Sequence, residues 1–301
     1  MMLICDAHAD TLYRLAAEQD LDPDVTLDRL RAGGVCLQVL ALFVGKDKSR
    51  DAVKSLIGRM LSVFESLKQA GFVQADDPRE AEDGETRVML SLEGCEPFEP
   101  GLETIKAFRA LGVRLAAVTW NHENALGTPA CVNDWAGLTD YGLRAVREMQ
   151  RLGIAVDVSH LNTAGFYDIL YKTNKPPLAS HSCCRALCDH PRNLTDGQLR
   201  DLFAAGGYAG VNFYPAFLVP EGPCGIDSVI SHIDHMHQMG GAGMVGFGSD
   251  FDGISRKPEG LSSPADFPAL ISGLCKKGYR EADLEQIAGL NFIRYFERVA
   301  V

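Results

Sequence analysis

Short apolar runs alternate with longer segments of helical spacing along nearly the whole chain, and that alternation decides the fold class. The runs span residues 1–4, 34–44 (GVCLQVLALFV), 87–92, 113–120, 154–159, 177–180, 207–213 and 244–249. Most are apolar almost without interruption, as expected of parallel strands buried on both faces. Between them, residues 49–70 place Val53, Leu56, Ile57, Met60, Leu61, Phe64 and Leu67 at helical spacing. Further helices are predicted over 11–19 with Asp10 as cap, 102–111, 139–152, 163–172, 196–205 with Thr195 as cap, and 226–239. A tail over 264–299 reads as helical, broken near Gly278 and Gly289. Eight strands with intervening helices call for a closed (β/α)8 TIM barrel, an open doubly wound sheet being the alternative. No Pro/Ser-rich linker divides the chain, so residues 1–301 are expected to form one barrel domain with a C-terminal helical tail.

Composition narrows the partners. The 301 residues are 46% hydrophobic with a net charge of -11, and no Lys/Arg block occurs. That excludes nucleic acid and an anionic membrane surface as expected partners and leaves a small substrate. Nine cysteines, an odd number with no C-x-x-C pair, read as reduced thiols. No basic leader with an apolar core opens the chain and no apolar stretch approaches 18 residues, so a soluble cytoplasmic protein is expected.

The candidate chemistry sits where the strands end. Cys5-Asp6-Ala7-His8-Ala9-Asp10 follows the first apolar run, and His8 and Asp10 are two positions apart, so on a strand both side chains point the same way. An imidazole and a carboxylate suit zinc and similar divalent ions. By itself, H-x-D at a strand end is more often turn chemistry. Glu93 follows strand 3, however, His160 strand 5, His181 strand 6 and Asp250 strand 8. A barrel brings these strand ends to one face. Three histidines and three carboxylates there have the composition of a two-metal site, with Glu93 as the natural bridge.

The motifs D-A-H-A-D (6–10), S-L-E-G (91–94), V-D-V-S-H (156–160), S-H-S (180–182), H-P-R-N (190–193), V-N-F-Y (211–214) and G-S-D-F-D-G (248–253) resemble those of the membrane dipeptidase (renal dipeptidase) family of metallopeptidases. The resemblance runs through nearly the whole chain. It implies an amidohydrolase-type barrel with two Zn2+ per chain, one held by His8 and Asp10, the other by His160 and His181, and both by Glu93. It also implies hydrolysis of dipeptides by a metal-bridging hydroxide, including ones with a C-terminal D-residue. Asp250 would handle the proton and Arg192 would grip the substrate carboxylate with its two-pronged guanidinium. Tyr214, which closes the V-N-F-Y motif, is taken as a further substrate contact. The family is compatible with a homodimer. One departure stands out: Trp120 occupies the place of a substrate-contacting histidine, so either Asn121 or His122 supplies that polar contact or the pocket differs; Asn121 is the residue chosen.

A barrel hydrolase acting on an N-acyl amino acid, a lactone or a phosphotriester is the nearest alternative, and a catalytically silent binding module the more distant one; Asp250 and Arg192 argue against the latter. His232, His235 and His237 lie before strand 8, away from the proposed site, and are expected to be exposed or structural. Gly241 to Gly246 spells G-x-G-x-x-G but leads into a strand, which excludes a dinucleotide site. Asp252 is expected to shape a turn.

Overall fold

A computed structural model describes residues 2–18, 22–45, 49–82 and 84–299 of the chain. Eight parallel strands form the ring: β1 (Ile4–Asp6), β2 (Val35–Phe43), β3 (Arg87–Glu93), β4 (Val113–Ala117), β5 (Ala155–Asp157), β6 (Leu178–Ser182), β7 (Tyr208–Val211) and β8 (Val245–Phe247). They pair in chain order, and β8 returns to β1 with Phe247 opposite Asp6, which closes the sheet. A two-residue strand, Val73–Gln74, adds to the start of β3 outside the ring. The longest pairing runs from Leu37 opposite Arg87 to Phe43 opposite Glu93. All of Val35–Phe43 is buried, which is why that run lacks any polar alternation.

The crossover helices begin where a side chain can satisfy their first amides. Thr139 accepts from Gly142 N–H, Asn162 from Gly165 N–H, and Thr195 from Gln198 N–H, each cap contributing roughly 1 kcal/mol. The last helix, Asn291–Val299, packs Phe292, Tyr295, Phe296 and Val299 against Cys5, Leu37, Leu178 and Tyr208. Those partners lie near the beginnings of their strands. The tail therefore plugs the N-terminal mouth of the barrel and leaves the C-terminal mouth for chemistry.

Several expectations shift. β1 starts at Ile4, so Cys5 and Asp6 belong to the strand. The helix after Asp10 is a single turn, Thr11–Tyr13, that widens into a π-turn over Arg14–Glu18; the predicted end at Gln19 lies outside the described residues. Asp10 makes no capping hydrogen bond, because its carboxylate turns toward His8 instead. Helices at Leu27–Ala32, capped by Thr26, and Pro215–Leu218 escaped the apolar pattern because they are too short to show a period. The tail breaks at Gly278 as expected but continues through Gly289 in a widened turn, where a Cβ would come within 2.5 Å of Leu3 O.

Candidate metal centre and substrate cavity

The structure gathers all six strand-end residues at one mouth. Glu93 stands at the middle: its Oε2 is 3.6 Å from His8 Nε2, and its Oε1 is 2.9 Å from His160 Nε2 and 3.7 Å from His181 Nε2. His8 Nε2 is also 3.8 Å from Asp10 Oδ1 and 3.8 Å from Asp250 Oδ1. The two carboxylate oxygens of Glu93 thus face different histidines, as a bridging ligand requires. His8 stacks on His181 with ring centroids 3.9 Å apart.

Unusual backbone aims these groups. His160 and Asp250 adopt φ of 70° and 63°, the left-handed region that a residue with a Cβ seldom enters. Glu93 is followed by Gly94 at φ 88°, where a Cβ would fall 2.5 Å from Val44 Cγ2. The backbone is therefore crowded directly after Glu93. Gly253 is tighter still. A Cβ there would lie 2.3 Å from Asp10 Oδ2 and 2.4 Å from Asp250 Oδ1, so only glycine lets the two carboxylates share that space.

The donor set fits cations. His8 Nε2, Asp10 Oδ1 and Glu93 Oε2 are buried and accept or donate no hydrogen bond. His160 Nδ1 meets Asn121 Oδ1 at 2.8 Å; an amide oxygen only accepts, so the proton sits on Nδ1 and Nε2 is a lone pair. That lone pair is 3.0 Å from His181 Nε2. Electrostatics agree. Burial lowers the affinity of His8 for a proton, yet Glu93, Asp10 and Asp250 outweigh it and bring the imidazole up to about 10. Burial and the neighbouring Asp10 push Glu93 well above the usual carboxylate range. Burial, then Arg192 and His8, holds His160 well below the usual imidazole range. The centre thus draws positive charge to its His8 side and keeps bare nitrogen on its His160 side. Distance alone groups Asp250 with His8 and Asp10 as a third possible donor.

Beside these groups opens a cavity of about 220 Å³, whose lining includes Asp10, Glu93, His160, Arg192 and Asp250. Arg192 is 5% exposed, lies over Phe217 with Cζ 5.5 Å from the ring centre, and donates from Nη2 to His181 O at 3.3 Å. Its Nε is buried without a partner. Asp250 accepts from Asn212 Nδ2 at 2.9 Å, and burial pushes its carboxyl up to about 6 against the pull of His8. Tyr214 lines the cavity. Asn121 lines it too, but its oxygen is committed to His160, so the structure gives it the work of orienting that imidazole. Trp120 forms part of the wall, edge-on to Phe43 at 4.8 Å, and His122 stands edge-on to Trp120 at 5.3 Å.

Asn212, Phe217 and Ile254 were not singled out from sequence; Asn212 sits in the V-N-F-Y motif and could have been. Two further histidines hold structure together. His232 is buried between Cys184 N–H, 3.0 Å away, and Leu218 O, 2.9 Å away, while His235 pairs with Asp196 at 2.7 Å. Asp252 accepts from Thr11 Oγ1 at 2.7 Å and Asp24 N at 2.6 Å, so it ties two loops together as well as shaping its turn.

Comparison with known proteins points the same way. The family described as membrane dipeptidase, peptidase family M19, matches residues 1–301. A Klebsiella pneumoniae protein described as uncharacterized in the pqqA 5' region is 35% identical over 75% of this chain and 86% of its own length. An uncharacterized dipeptidase of Schizosaccharomyces pombe is 34% identical over 71% of this chain, and rat dipeptidase 3 is 29% identical over 91%. The chain spans little more than half the length of these two, 53% and 58%. Among solved structures, a Rhodobacter sphaeroides metallo peptidase liganded with a phosphinate mimic of L-Ala-D-Ala superposes with a TM-score of 0.89 at 25% identity over 99% of both chains. A structure described as dipeptidase AC of family M19 gives 0.90 at 26%, again over 99% of both.

Proposed function

The chain belongs to the membrane dipeptidase family, peptidase family M19, and from that membership we propose a two-zinc dipeptidase that hydrolyses the single peptide bond of dipeptides, C-terminal D-residues included. One observation carries the reading: Glu93 divides its two oxygens between His8 on one side and His160 and His181 on the other, at the edge of a cavity sized for a small ligand. His8 and Asp10 would hold one zinc, His160 and His181 the other, with Glu93 common to both. When bound, the cations acidify water and polarise a carbonyl oxygen.

The chain's own residues supply the rest. Arg192 offers its guanidinium fork to the C-terminal carboxylate of the substrate, and burial beside Phe217 keeps water from competing for it. Asn212 anchors one oxygen of Asp250 and leaves Oδ1 facing His8. Held near neutrality at about 6, that carboxyl can take a proton and return it to the leaving amine. Trp120 and Phe217 with Tyr214 and Ile254 give the cavity an apolar wall for the substrate side chains. The D-residue draws support from the L-Ala-D-Ala mimic in the Rhodobacter relative.

Nine scattered cysteines with no C-x-x-C pair fit a reducing, cytoplasmic setting. Among the described residues no helix is long and apolar enough to cross a membrane. A panel of L-L, L-D and D-L dipeptides, with tripeptides and N-acyl amino acids as controls, tests the substrate class with and without added zinc. Zinc-dependent cleavage confined to dipeptides is expected. Preference for acyl amino acids over every dipeptide would replace this reading with that of an acyl amino acid hydrolase.

A further inference from the structure

Behind His181 lies a chain of buried hydrogen bonds that the metal ligands alone do not explain. Asp157 ends β5 at 1% exposure, and Ser159 and Ser180 are fully buried. Asp157 Oδ1 accepts from the backbone N–H of Ser159 at 2.9 Å and of Ser180 at 3.0 Å, and Oδ2 accepts from the Ser180 hydroxyl. Ser180 Oγ is in turn 2.6 Å from His181 Nδ1. Ser159 Oγ holds the His181 backbone N–H at 3.1 Å.

A hydroxyl has one proton to give, and a buried carboxylate is the stronger acceptor. Ser180 therefore presents a lone pair to the imidazole, and His181 keeps its own proton on Nδ1. Nε2 is then bare, and Nε2 is the atom that points at Glu93 and at His160 Nε2. We propose that Asp157, acting through the Ser180 hydroxyl, is a positioning residue that locks His181 in the Nδ1–H tautomer and so delivers Nε2 to the centre as a lone pair. The consequence for metal affinity rests on the two-zinc reading; in the metal-free chain the relay has to hold the tautomer by itself, against the lone pair of His160 Nε2 at 3.0 Å.

Asp157→Asn makes the test sharp because it keeps the shape. Its amide oxygen still serves the two backbone N–H groups, while its NH2 faces Ser180 as a donor. Ser180 must then accept from Asn and give its proton to His181 Nδ1, which moves the imidazole proton to Nε2. The readout is the two-bond 1H–15N spectrum of the 15N-labelled full chain, stripped of metal by a chelator, followed by zinc titration. Wild type should show Nδ1–H at His181 and Asp157→Asn should show Nε2–H, with zinc affinity lower by about 10- to 100-fold. A residue that merely stabilised the fold would lower the melting temperature without moving the proton. Nε2–H in wild type, or the same tautomer in both chains, overturns the proposal. If Asp157→Asn does not fold, Ser180→Ala replaces it: loss of the single Nδ1–H state supports the relay, and its persistence refutes it. Nδ1–H in a wild-type chain that binds no zinc would uphold the relay and remove the metal reading.

Discussion

Gly253→Ala adds one methyl group to the tightest point of the centre. Its Cβ would start 2.3 Å from Asp10 Oδ2 and 2.4 Å from Asp250 Oδ1, where ordinary van der Waals contact begins near 3.4 Å. Both carboxylates must therefore retreat by about 1 Å. Each would give up a defined position to do so: Asp250 is bonded to Asn212, and Asp10 is buried beside His8. Displacing a reacting group by about 1 Å costs on the order of 10²-fold in rate, whereas overpacking of this kind costs about 1–3 kcal/mol of stability. Activity should thus collapse well before the fold does. The assay compares kcat/KM on L-Ala-D-Ala, zinc content and melting temperature in wild type and variant. Turnover within threefold of wild type, with the zinc content unchanged, would refute the claim that Asp10 and Asp250 meet over this glycine.

Asp250→Asn should retain metal and lose about 10²- to 10⁴-fold in kcat, the usual worth of a positioned proton-transfer group; loss of one zinc instead would make Asp250 a ligand. Arg192→Ala should raise KM for dipeptides and leave C-terminally amidated substrates unaffected, while equal effects on both would remove the carboxylate clamp. His232 titrates to the opposite side of stability. Burial lowers it from 6.5 to about 4, so below pH 6.5 the unfolded chain binds a proton that the native chain refuses. Stability from this group is complete above pH 6.5 and is lost as pH falls toward 4, by about 2 kcal/mol between pH 7 and pH 5. Urea midpoints at the two pH values should therefore drop less in His232→Gln than in wild type, and parallel drops would contradict the buried neutral imidazole.

Much of this was legible before any coordinates. The strands could be read because a parallel barrel buries both faces, which leaves Val35–Phe43 with Gln38 as its one polar position. Six of the site residues could be read because they follow such runs at their C-terminal ends, whereas Arg192 and Tyr214 came from the motif resemblance alone. What escaped depends on contacts between distant segments. Asp10 reads both as a helix cap and as a ligand by position, and only the closeness of His8 and Gly253 shows that its carboxylate serves the centre and not the helix. Asn121 reads as a substrate contact and does line the cavity, but its second task, an oxygen folded onto His160 39 residues away, has no local signal. Asp157 and Ser180 stood inside the very motifs that carried the resemblance. Their hydrogen bond depends on the pairing of neighbouring strands, which no local pattern encodes.

The most direct test is the zinc count of the purified chain, by metal analysis, alongside dipeptide turnover in wild type and in His181→Ala. Two equivalents per chain in wild type, about one in the variant, and turnover lost with the missing zinc are expected. A variant that turns over dipeptide at the wild-type rate, or a fully active wild-type chain with no bound metal, would contradict the shared centre built on Glu93.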